Sequence, residues 1–254
     1  MVPSVQPGVA TKELFETLLA QYQGVVIGES HQAIASKQFL ITNMKLLAKR
    51  GVRTLYMEHL LGDLHQTDLD ALFKTGKMSA QLDEYLRALD EGQRTDPTGV
   101  NTFANVVRAA QQQRIRIRAL DCAASYRLDG IEEPGSFLRQ KVFSFYASKV
   151  MRAEQTTNAH QPWVALVGNT HSNAYKRIPG LAELNKGVGL RVIDVGGDQA
   201  IGVSVDPGEY YLPSIRSPDG VVKADFLLAI KTRPEAVEHL PVSLAPPGVI
   251  RPGS

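Results

Sequence analysis

Short, dense apolar runs alternate along this chain with longer amphipathic stretches. Val25-Val26-Ile27, Val52 to Met57, Ile115 to Leu120, Trp163 to Val167 and Leu190 to Val195 read as buried strands. The stretches around them have helical spacing. Thr11 to Tyr22 sets Leu14, Leu18 and Leu19 on one face, with Thr11 as a candidate N-cap. Ile34 to Arg50 carries Phe39, Leu40, Met44, Leu47 and Ala48 in a 3.6-residue rhythm, and Gly51 follows as a C-cap signal. Asp63 to Phe73, Ser79 to Leu89, Asn101 to Gln113 and Ser136 to Arg152 continue the helical series. Ile201 to Val205 and Phe226 to Ile230 are later strands, and the Pro/Gly-rich tail over 241–254 reads as extended. Strand–helix alternation predicts an α/β fold with a central, mostly parallel (mixed) sheet flanked by helices. We expect one domain over 1–254, with a helical insertion over about 63–113 of a size suited to a lid.

Ligands of open parallel sheets bind beyond the carboxyl ends of the strands, so the polar residues that close the apolar runs are the candidates for chemistry. Gly28-Glu29-Ser30-His31 closes the first strand and Gly168-Asn169-Thr170-His171 the fourth, each a glycine with a histidine three residues on. Glu58-His59 closes the second strand and Asp121-Cys122 the third. If these strands are neighbours, Glu29, His31, Glu58 and His171 form a catalytic group. Gly28, Gly168, Asn169, Asp121 and His59 are then binding candidates. Strand parity points His59 away from the Glu58 side and suggests a supporting role. The two glycines let the chain turn sharply and approach a ligand closely.

Two chemistries fit these residue types. In one, His31 and His171 with Glu58 or Glu29 hold a divalent metal (Mn, Co or Zn) that acidifies water. In the other no metal is present, and a histidine oriented by a glutamate acts as general base. A purely structural reading also stands: His31 opens the helix Ile34 to Arg50, with Glu29 near its positive end. His65 is expected in solvent, and His160 and His239 at the surface. Cys122, without evident activating cations, reads as a small buried filler. Asp194 lies inside an apolar strand and should pair with an arginine or cap a turn before Gly196-Gly197. Walker, dinucleotide-binding and Gly-x-Ser-x-Gly spacings are absent.

Composition narrows the classes. The apolar and charged fractions, 43% and 21%, are those of an ordinary globular protein. A net charge of +2 without long runs of like charge gives no electrostatic case for nucleic acid. No apolar stretch is long enough to span a membrane. The single cysteine leaves no partner for an internal disulfide. The first residues lack a basic region followed by an apolar one, so no Sec signal is expected.

At Gly28, Glu29, His31, Glu58, Gly168 and His171 the chain resembles the erythromycin esterase, ChaN-like and TIKI/TraB superfamily. That group includes a domain of the Pasteurella mitogenic toxin and related bacterial effectors. The resemblance spans about Val25 to Val195 and rests on its two Gly-x-x-His motifs. It implies a hydrolase-like virulence protein, esterase- or metalloprotease-like, delivered to a host-cell cytoplasm without a Sec signal, for example by type III secretion. Residence in the bacterial cytoplasm is the alternative. It implies a small-molecule or protein substrate, and a divalent metal, haem or no cofactor. Turnover-free haem or metal binding at His31 or His171 is one alternative function. An inactive effector that engages a host immune receptor or another host protein is another.

Overall fold

The structure is a computed structural model that describes residues 11–128, 136–196, 199, 201–211 and 220–232. His239 and the tail reading over 241–254 lie outside the described residues. The strands are β1 (Gly24–Glu29), β2 (Thr54–Leu61), β3 (Arg116–Asp121), β4 (Trp163–Gly168), β5 (Val188–Val195), β6 (Gly202–Val205), β7 (Glu209–Tyr210), β8 (Val221–Val222) and β9 (Phe226–Lys231). The main sheet runs in the order β3-β2-β4-β1-β5-β9-β6. All its pairings are parallel except β6 with β9 at the edge. β4 thus lies between β1 and β2, which makes the two Gly-x-x-His strands direct neighbours, with Gly28 level with Val167 and Glu29 with Gly168.

Both faces of the sheet are covered, which explains why the central strands are apolar throughout rather than alternating. One face carries Val25, Ile27, Leu55, Met57, Val164 and Leu166. They pack with Leu14, Phe15 and Leu18 of α1 (Thr11–Gln21), with Phe39, Leu40 and Met44 of α2 (Ile34–Lys49) and with Phe103, Val106 and Val107 of α5 (Phe103–Gln112). Leu69 and Leu72 of α3 (Gly62–Thr75) and Leu82, Leu86 and Leu89 of α4 (Ala80–Gly92) join the same cluster. The helices predicted as a lid-sized insertion are therefore part of the core wall. The other face carries Val26, Tyr56, Ala165 and Val167 against Phe143, Ala147 and Met151 of α7 (Leu138–Thr157) and Leu181 of α9 (Leu181–Leu184).

Two local features shape the carboxyl end. After β1 the chain passes to the α2 face, and after β4 it passes through α8 (Asn169–Ser172) to α9 on the opposite face. Adjacent strands whose connections diverge leave a crevice between them. Strand β2 also runs four residues beyond the expected Met57 and ends at Leu61. Its register with β3 shifts there, so that Met57 faces Ala119 but Leu61 faces Asp121. Glu58 and His59 lie inside this irregularity, and bulges of this kind re-aim side chains beside functional sites.

Candidate active site

Strand parity sends the two glutamates to opposite faces. Glu29 continues the Val25–Ile27 side toward α2, and Glu58 continues the Tyr56 side toward α7. His59, one residue on, turns back to the Glu29 side and packs its ring against Phe103 at 4.1 Å.

On the α2 face, Glu29 is fully enclosed. Its Oε2 accepts from Lys37 Nζ at 2.9 Å and from the Ser36 hydroxyl. Its Oε1 lies 3.2 Å from His59 Nε2 and 3.5 Å from His31 Nδ1. The two imidazoles meet at 2.9 Å, ring perpendicular to ring. Burial alone would raise the Glu29 carboxyl, but Lys37, with His31 and His59, holds it far below the usual carboxylate range. Burial lowers both Lys37 and His59 from their ordinary values.

On the α7 face, Glu58 Oε2 accepts the Gly168 N–H at 2.7 Å. Its Oε1 lies 3.3 Å from His171 Nε2 and 3.8 Å from Arg139 Nη2. Burial pushes this carboxyl up, but His171, His31, His59 and Arg139 bring it down to about 2. His171 stacks on Phe143 at 4.2 Å, and burial lowers it to about 4 against the pull of Glu58. At neutral pH the pair is therefore a carboxylate and a neutral imidazole. Arg139 donates to Asp121 at 2.6 Å and to Ser125 at 2.7 Å. Asp121 is raised to about 6 by burial, with Arg139 opposing and Glu58 adding.

His31 joins the halves. Its side chain is 17% exposed, whereas Glu29, Glu58, His59 and His171 are buried. A Cβ on Gly168 would stand 3.1 Å from the His31 ring and 3.5 Å from Glu58 Oε2. Gly168 has an ordinary φ of −60°, so the glycine supplies room rather than a turn. Gly28 does the same: a Cβ there would meet Ser172 Oγ at 2.7 Å and Asn169 Oδ1 at 3.2 Å. The structure thus brings Glu29, His31, Glu58, His59 and His171 to one strand-end cluster, with Asp121 behind Arg139. Asn169 turns toward Gly28.

The acid and imidazole groups close enough to share an ion among the described residues are Glu29, His31 and His59; Glu29 and His31 belong to the expected set, and His59 stands where His171 was expected. Their donor separations of 2.9 to 3.5 Å suit one face of a tetrahedron with bonds of about 2.0–2.1 Å. Two observations oppose a cation there. The two ring nitrogens already stand in hydrogen-bond contact, and the carboxylate already has Lys37 Nζ at 2.9 Å. A dication would add charge beside a fixed buried cation. The cluster fits a metal poorly. His31 and His171 are packed against His59 and Phe143, which lends no support to a porphyrin site.

Three expectations need correction. His65 is buried, not in solvent: its Nδ1 accepts the Leu61 N–H at 3.0 Å, its ring lies on Tyr85, and burial lowers it to about 4. Among the described residues, Asp194 neither pairs with an arginine nor caps the following turn. It accepts the Ile34 and Ala35 N–H groups at 2.9 Å each and caps α2 from β5. Cys122 is half-buried just ahead of α6 (Ala123–Tyr126), and burial raises its thiol. Sequence reasoning missed Ser36, Lys37 and Arg139. The only signal was a Ser-Lys pair between the apolar Ile34-Ala35 and Phe39-Leu40.

No family model matches the chain. Over 171 residues, 66% of its length, the chain is 32% identical to the multifunctional-autoprocessing repeats-in-toxin of Vibrio vulnificus, and it spans 3% of that protein. RRSP, a MARTX toxin effector domain from Vibrio vulnificus CMCP6, superposes with a TM-score of 0.58 at 26% identity, over 76% of this chain and 37% of that one. The type III effector HopBA1 superposes with a TM-score of 0.57 over 91% of this chain and 98% of that one. At 12% identity, this second likeness is one of fold.

Proposed function

We propose that the chain is the hydrolytic module of a bacterial effector that acts on a protein substrate in the host-cell cytoplasm. The likeness to a toxin effector domain supports the effector reading. The observation that carries the chemistry is a partly exposed imidazole, His31, set over a buried carboxylate, Glu29, at 3.5 Å. A carboxylate so placed stabilises the ring's cation, and His59, 2.9 Å from His31 Nδ1 and 3.2 Å from Glu29 Oε1, sets the ring between them. His31 removes a proton from water as the oxygen attacks the substrate carbonyl carbon, then returns it to the leaving group as the scissile bond breaks. Glu58 anchors the end of β4 through the Gly168 N–H and holds His171. His171, backed by Arg139, faces the carbonyl side, where negative charge develops. No step needs a metal.

The test is to incubate purified protein with a host-cell lysate and read new protein N-termini by mass spectrometry, beside a panel of nitrophenyl esters. The proposal expects new N-termini that disappear with Glu29→Gln and His31→Ala variants of native circular dichroism. Identical N-termini from these variants, or none from the wild type, would overturn it.

A further inference from the structure

We infer that Lys37 is a positioning residue of this site: it sets the Glu29–His59–His31 chain from behind and pins the loop that carries His31. The inference rests on the proposed hydrolytic reading and deepens it.

The lysine's location is costly by every local rule. It lies in the first turn of α2, where the helix dipole disfavours a cation. It is fully buried, which disfavours its charge. Its contacts explain its presence. The ammonium donates to Glu29 Oε2 at 2.9 Å and to the His31 backbone carbonyl at 2.5 Å, and it sits 4.2 Å above the Phe103 ring. One group therefore holds both the carboxylate that orients His31 and the backbone from which His31 projects. Asp194 and Asp90 add negative potential around it. Asp194 does so while capping the same helix end, and Asp90 while capping α5 through Phe103 and Ala104. Phe103 in turn packs on His59, so the ammonium, the aromatic ring and the imidazole form one stack behind the cleft.

The test uses 15N-histidine-labelled protein at pH 7, as wild type, Lys37→Met and Glu29→Gln. We expect Lys37→Met to move the ring nitrogen signals of His31 and His59 in the same sense as Glu29→Gln, and to leave those of exposed His160 in place. Turnover of whatever substrate the lysate yields should fall at least tenfold in Lys37→Met. Adding Lys37→Met to Glu29→Gln should cost less than threefold more, because both substitutions break one chain. Unmoved His31 and His59 signals, with only a lower melting temperature, would make Lys37 a packing residue and overturn the inference. Independent, multiplicative losses in the double variant would do the same. A wild type that cleaves nothing removes the hydrolytic reading alone, and the ring signals still decide where Lys37 acts.

Discussion

The two faces of the sheet end hold the same three ingredients in different states. Each has a buried glutamate, a buried histidine and a cation from a covering helix. On the α2 face the cation is an ammonium with no exposed surface, tied to Glu29 and to the His31 backbone. On the α7 face it is a guanidinium, 14% exposed, shared between Asp121, Ser125 and the more distant Glu58. On the first face the carboxylate reaches an imidazole whose side chain is 17% exposed, and on the second it reaches one that is 10% exposed. Under the proposed hydrolytic reading the two faces divide the labour: the α2 face would prepare a base, and the α7 face would fix the strand end and the field across from it.

The sharpest way to break this comparison is to remove one base-side group. His31→Ala and Glu29→Gln should each lower turnover by about 10²–10⁴-fold, the range for general-base groups, with the fold retained by circular dichroism. Gly168→Ala comes next. Its Cβ would press on His31 at 3.1 Å, so turnover should fall by roughly tenfold while the melting temperature changes little. Gly28→Ala is the stability counterpart. Its Cβ would meet Ser172 Oγ at 2.7 Å, and urea unfolding should show a loss of about 1–3 kcal/mol. Asp194→Ala removes a cap whose loss costs about 0.5–2 kcal/mol, and should loosen α2 and Lys37 together.

Acid should weaken the protein through both faces. His171 and His65 have folded values near 4, below the ordinary 6.5, so between these limits the unfolded chain binds more protons than the folded one. Stability therefore rises with pH across this window and is lost as pH falls from about 6.5 toward 4. Glu58, held near 2, contributes stability above its ordinary 4.5 that is lost as pH falls toward 2. Asp121, raised to about 6, runs the other way: its contribution is present below 3.8 and lost as pH rises through 6. Urea midpoints at pH 7.5, 5.5 and 4.5 should fall in that order. A smaller effect is expected from metal removal: EDTA should leave turnover unchanged.

Much of this could be seen in the residue pattern, for physical reasons. Buried parallel strands must be continuously apolar, so β1 and β4 stand out, and the polar groups that end them are visible by contrast. Glu29, His31, Glu58 and His171 were legible on that ground. What was not legible depends on contacts between distant segments. Nothing local says that β4 inserts between β1 and β2. The parity argument for His59 was sound, since the ring does point away from Glu58. The side it reaches is the Glu29 half of the same cluster. Asp194 meets its helix end 160 residues away, and Arg139 reaches the site from a helix that looks merely amphipathic. His65 looked like a surface residue because a helical position alone does not reveal that Tyr85 covers it.

The most direct test of the account compares turnover of a lysate-derived substrate by wild type, His31→Ala, Glu58→Gln and His171→Ala, each of native circular dichroism. The account predicts losses of about 10²-fold or more in His31→Ala and clear losses in the other two, because both faces serve one reaction. Wild-type turnover by both Glu58→Gln and His171→Ala would contradict a single site built from both faces of the sheet.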